Sequence, residues 1–169
     1  FYGVPNASVG YYIFPFAVGN FLGPLILGRL FDAIGRRVMI ALTYAASGIA
    51  LFATGEAFAS GALGATGLTL CWSAIFFVAS AAASAAYLTV SEVFPLEMRA
   101  IAISIFYATG TALGGFAGPP LFGAMIESGS RQALFGAYSF AACLMCAAAL
   151  AAAYLGVDAE RKSLELVAP

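Results

Sequence analysis

The chain has no histidine, one tryptophan and three cysteines, and only 9 % of its 169 residues carry charge. Each scarcity closes off a class of function. Without histidine, the commonest general base and metal ligand at neutral pH is missing. Cys143 and Cys146 are spaced C-x-x-C, but no second pair and no histidine complete a four-ligand site, so no metal is expected. All three cysteines, Cys71 included, lie in apolar runs, where a reduced thiol behaves as a small hydrophobe. No acid or base falls in the middle of an apolar run, so there is no intramembrane pair for proton transfer or hydrolysis. Neither an enzyme nor a cofactor is expected. A net charge of −1 supplies no basic face for nucleic acid.

Apolar residues make up 63 % of the chain and mean hydropathy is +0.97. A soluble domain carries roughly 25 % charged residues, so this composition belongs in a bilayer. Five apolar stretches follow one another: Ser8 to Leu30, Val38 to Gly55, Gly67 to Val90, Ala100 to Ile126 and Ala133 to Leu155. Each is about 18 to 27 residues, enough to cross a hydrocarbon core of roughly 30 Å. The expected fold class is all-α, a polytopic membrane helix bundle of five transmembrane helices. Alternating sides gather Arg29, Arg36, Arg37, Arg99, Arg161 and Lys162 on one face and leave Arg131 on the other. The first face is then cytoplasmic, with Phe1 outside and the charged tail of residues 156–169 inside. Trp72 falls near the outer end of the third span, where an interfacial anchor is expected.

Two charged connections stand out. Gly28-Arg29-Leu30-Phe31-Asp32-Ala33-Ile34-Gly35-Arg36-Arg37 separates the first two spans and reads as a short, tight turn at the membrane surface. Gly28 and Gly35 permit turning conformations, and Asp32 is placed to accept from the N–H groups of a nearby helix start. Ser91-Glu92-Val93-Phe94-Pro95-Leu96-Glu97-Met98-Arg99 separates the third and fourth spans. There Pro95 ends one helix and starts the next, which puts Glu97 in a first turn where the helix dipole favours an acid.

The first connection resembles the G-x-L-x-D-x-x-G-R-R signature of the major facilitator superfamily of secondary transporters, matching at Gly28, Leu30, Asp32, Gly35, Arg36 and Arg37. The second resembles the S-E-x-F-P-x-x-x-R motif of its sugar-porter and metabolite–proton symporter branches, through Ser91, Glu92, Phe94, Pro95 and Arg99. Glu160-Arg161-Lys162-Ser163-Leu164-Glu165 looks like a degenerate copy of their E-T-K-G-x-S-L-E tail. The resemblance implies helices eight to twelve of a twelve-helix fold. Residues 1–169 would be its carboxy-terminal half without the first helix of that half, partnered by an amino-terminal half elsewhere in the protein. It further implies a multi-pass protein of the plasma or inner membrane that moves a small polar solute, sugar or organic-acid-like, by alternating access. A co-transported proton would need a carboxylate in the missing half. The sugar-porter tryptophan before the S-E motif is absent, with Ala85, Ala86 and Tyr87 in its region. A transporter-like sensor or scaffold without transport is the alternative reading.

Polar groups within the spans mark the candidate path. Ser73, Ser80, Ser84, Tyr87 and Ser91 share one helical face, and Ser104, Tyr107 and Thr111 share another. Stripes of serine and glycine are also how membrane helices pack, as in Gly110-x-x-x-Gly114-x-x-x-Gly118. The candidate cavity residues are Asn20, Ser80, Ser84, Tyr87, Tyr107 and Thr111, in helices that the resemblance implies line a central cavity. Gly28, Asp32, Gly35, Arg36, Arg37, Glu92, Pro95 and Arg99 form the expected cytoplasmic gating motif, with Glu92 paired to Arg36 or Arg37. The charge asymmetry itself is testable. Single cysteines at Ser60 and Ser163 in a full-length, cysteine-free protein should react with impermeant reagent from opposite sides, and same-side labelling would overturn the topology.

Overall fold

The computed structural model describes residues 1–157. A short 3-10 turn, Asn6–Ser8, leads into five helices: α1 Val9–Ile34, α2 Arg36–Ala59, α3 Ala65–Val93, α4 Leu96–Glu127 and α5 Arg131–Leu155. No strand occurs among the described residues. All five helices are long and apolar enough to cross a membrane. This is the expected all-α bundle, in the expected number and order of spans.

The connections are tighter than expected. Gly28 to Arg37 does not form a multi-residue turn, because α1 runs through Gly28 and Asp32 to Ile34 and α2 begins at Arg36. Gly35 alone breaks the helix, at φ 116° and ψ 132°, a backbone region that an L side chain rarely adopts. Its N–H still reaches Phe31 O at 3.2 Å, and its carbonyl accepts from Met39 N–H at 3.0 Å. Likewise only Phe94 and Pro95 separate α3 from α4. Charged residues in these stretches set where lipid ends, but the backbone continues as helix because each turn satisfies its own donors and acceptors.

α2 packs along α5 and α3, and α1 packs along α3. Two apolar clusters result. One joins Leu51, Phe58, Ile75 and Tyr138 between α2, α3 and α5, and the other joins Phe31, Met39, Ile40 and Ala82 between α1, α2 and α3. The α1–α3 contact is backbone to backbone. A Cβ on Gly19 would lie 2.5 Å from Ser73 O, and one on Gly23 would overlap Phe77 O and crowd Ser80 Oγ. α4 differs from the others in having no buried residue along its 32 positions.

Hydrogen bonds tie opposite ends of the bundle separately. At one end Tyr2 Oη donates to Leu63 O at 2.7 Å, and Arg131 Nη1 donates to Phe58 O at 2.7 Å. The Arg131 guanidinium also sits 4.8 Å from the Phe58 ring centroid and 5.4 Å from that of Tyr2, a cation–π arrangement. Trp72 lies toward this end, stacked on Tyr138 at 6.2 Å between centroids.

The α1–α3 contact generates a direct test. Gly23→Ala should push the two helices apart and lower the midpoint of thermal unfolding by several degrees, as overpacking by one methyl costs about 1–3 kcal/mol. Gly114→Ala, where an added Cβ meets nothing within 4 Å, should leave the midpoint unchanged or raise it slightly. Equal loss at both positions would mean that the α1–α3 contact is not the close one.

Candidate functional site: a charged hinge and an aromatic cavity

The end of the bundle opposite Arg131 is built around Arg36, whose place as the first residue of α2 is fixed by the Gly35 break. One helical turn earlier in the chain, Asp32 presents its carboxylate to Arg36, with Nη2–Oδ1 at 3.1 Å and Nε–Oδ1 at 3.3 Å. Arg36 Nη1 donates to Glu92 Oε2, near the end of α3. A single guanidinium therefore joins α1, α2 and α3. The Arg36 residue as a whole is only 8 % exposed, although the Asp32 side chain is 55 % exposed. Arginine suits this role because its planar fork offers donors in two directions and keeps its charge when desolvated.

One expectation changes here and one open alternative is decided. Asp32 does not cap the start of α2, where no side-chain cap is present, because its oxygen is engaged by the Arg36 side chain. Arg37 does not join Glu92. Its guanidinium turns away and donates to Ala153 O, with Nε at 2.9 Å, at the C-terminal end of α5. Exposed carbonyls and the negative end of the helix dipole favour a cation there. The adjacent arginines thus have separate partners, since successive side chains on a helix point about 100° apart.

The remaining members of the motif are more loosely held. Glu97 occupies the first turn of α4 and Pro95 its N-cap. Arg99 is half-buried, and its Nε has no hydrogen-bond partner among the described residues. Gly28 lies within α1 with open space beside it. The tail motif of residues 160–165 lies outside the described residues.

The candidate cavity residues separate into groups. Tyr87 and Tyr107 come together, their ring centroids 5.8 Å apart, and Tyr87 meets Phe106 edge to face at 5.3 Å. Tyr87 lines a cavity of about 660 Å³ between α2, α3 and α4, whereas Asn20, Ser80, Ser84, Tyr107 and Thr111 do not line it. Ser80 is packed against Gly23 in the α1–α3 contact. Asn20 is exposed on α1 and is not brought to the tyrosines. Its neighbours Gly19 and Gly23 face Ser73 and Phe77, so Tyr87 lies about thirteen residues, or about 20 Å, farther along α3 than the level of Asn20. The cavity also draws on Phe94 of the S-E-x-F-P motif and on Tyr44 of α2, Met98 and Thr109, the last three not singled out from sequence. Tyr44 was legible as a lone tyrosine in the second span, but only packing brings it opposite Tyr87. No group of three or more His, Cys, Asp or Glu that could hold a metal occurs among the described residues.

A bundle of membrane-spanning helices whose ends are joined through a charged corner, with a cavity between helices at that same end, is the architecture of a polytopic membrane protein. A family model described as the Major Facilitator Superfamily matches residues 2–167, and the chain belongs to that superfamily. Its members are secondary transporters, multi-pass proteins of membranes that act on small molecules. No curated protein and no solved structure matches significantly.

The geometry separates the two arginines by experiment. In a double-mutant cycle on thermal stability in lipid nanodiscs, Arg36→Gln and Glu92→Gln should couple by about 1–3 kcal/mol, below the 3–5 kcal/mol of a fully buried pair. Arg37→Gln and Glu92→Gln should be additive. Additivity for both pairs would remove Arg36–Glu92 from the hinge.

Proposed function

We propose that the chain is the carboxy-terminal half, helices eight to twelve, of a secondary active transporter for a small organic solute, and that Arg36, Asp32 and Glu92 latch its cytoplasmic end. The observation that carries this reading is the nearly sealed Arg36 guanidinium bridging the α1–α2 hinge and the end of α3. Alternating access needs two arrangements of the helices with contacts that differ between them, because only differential contacts shift the populations. Arg36–Glu92 is such a contact. Made when the cytoplasmic side is closed, it favours the outward-open state, and breaking it leaves a charge in a poorly hydrated place.

The motif resemblance supports a sugar-porter or metabolite–proton symporter branch and a polar solute. No acid lies mid-span in these five helices, so a coupling carboxylate for a co-transported proton belongs to the partnering half. Orientation follows the basic residues, with the latch facing the cytoplasm of a plasma or inner membrane.

The test is solute uptake by the full-length protein in proteoliposomes, using radiolabelled sugars, carboxylic acids and neutral aromatic compounds, with and without a proton gradient. Saturable uptake of at least one solute is expected. Glu92→Gln should slow it several-fold at matched protein content without preventing insertion. Saturable binding with no uptake across the panel would favour the sensor alternative.

A further inference from the structure

The cavity at the latch end has a chemistry that selects among solutes. Its polar side chains are three hydroxyls, those of Tyr44, Tyr87 and Thr109. The rest of its lining is aliphatic, aromatic or small, including Phe94, Met98 and Phe106, and no Asp, Glu, Lys or Arg contributes. A hexose brings about five hydroxyls, and each one buried without a partner costs about 1–3 kcal/mol. Among the described residues no cation lines the space to meet a carboxylate: Arg36 and Arg37 are engaged by Glu92, Asp32 and Ala153 O, and Arg99, which follows the lining residue Met98, stays outside the lining. At about 660 Å³ the cavity has the size of an ordinary small-molecule site.

We infer that this cavity takes an uncharged, ring-bearing amphiphile with one or two hydrogen-bonding groups, and that Tyr44 is a specificity-determining residue for it. The inference rests on the transporter reading for its role as substrate, and it departs from the sugar or organic acid that the motif resemblance implies. The flat faces of Tyr44 and Tyr87 suit a ring, and the two phenol hydroxyls give it orientation. Tyr87 is held by Phe106 and Tyr107, so its hydroxyl is pre-positioned. Tyr107 contacts Tyr87 without lining the cavity, which makes it a positioning residue. The site lies at the same end of α3 as the latch, since the lining residues Val90 and Phe94 bracket Glu92 along the chain.

The probe is 4-hydroxybenzophenone, which has two rings, one ketone and one hydroxyl and carries no charge when bound as the neutral phenol. Irradiated with the full-length protein in nanodiscs, it should form adducts concentrated at Met98 and the α3–α4 residues around it. Excess 1-naphthol should reduce them at least fivefold, and glucose or benzoate should not. Tyr44→Phe, which keeps the ring, should weaken probe binding about three- to tenfold, with unchanged thermal stability. Adducts scattered over exposed helix faces without competition, equal competition by glucose, or no effect of Tyr44→Phe would each overturn the inference. The uptake panel separates the two readings. Cavity labelling with uptake of sugars alone would reject the amphiphile as substrate and leave transport standing. Cavity labelling with no uptake of any solute would reject transport and leave the binding site.

Discussion

The guanidinium of Arg36 is the point on which one end of the bundle depends. A charge almost sealed from solvent persists only with partners that satisfy its donors, and those partners come from two other helices. That requirement fixes the α1–α2 corner against the end of α3. It also explains the single-residue break at Gly35. A longer connection would let Arg36 move away from Asp32, whereas one left-handed residue keeps the two side chains about a helical turn apart across the corner.

The opposite end is held by different chemistry. Arg131 lies over aromatic rings and donates to a backbone carbonyl rather than to an acid. Neither of those partners is a carboxylate, so among the described residues this end has no ion pair to exchange when the helices move. An ion-pair hinge at one end and a cation–π clamp at the other give the two ends unequal sensitivity to charge substitution and to salt. Between them, α1 and α3 touch at glycine, with backbone atoms in direct contact, which leaves little room for shear. α4, without a buried residue, is the helix with fewest constraints, and it forms one wall of the cavity. The element with most freedom thus borders the candidate binding site.

The site was legible from sequence in part. Glu92 and Arg36 were visible as an acidic and a basic residue of two motifs expected on the same membrane face, and positive-inside counting sufficed for that expectation. The choice of Arg36 over Arg37 was not visible, because it turns on a rotation of about 100° between neighbouring side chains and on the end of α5 arriving beside Arg37. Tyr87 and Tyr107 were each marked as bulky polar groups in lipid, and they do meet. Asn20 carried the same mark but lies at another level of the bundle, since periodicity reports which face a residue occupies and is silent on the axial register between helices.

A short recurring run shows where the sequence stops deciding. Gly19-Asn20-Phe21-Leu22-Gly23-Pro24 in α1 returns as Gly114-Gly115-Phe116-Ala117-Gly118-Pro119 in α4. In the first copy the glycines meet the α3 backbone, and in the second an added Cβ at Gly114 or Gly118 would meet nothing within 4 Å. Composition and run length determined that five helices cross a membrane, because a backbone in lipid must bond to itself and about 20 apolar residues span the core. The motifs determined the family, and the charge asymmetry determined which connections share a face. Only the tertiary structure decided which glycine stripe is packed, which arginine meets Glu92, and that Tyr44 and Tyr87 line one cavity. Those outcomes depend on the register and rotation of one helix against another, and they are set by contacts between residues distant in the chain.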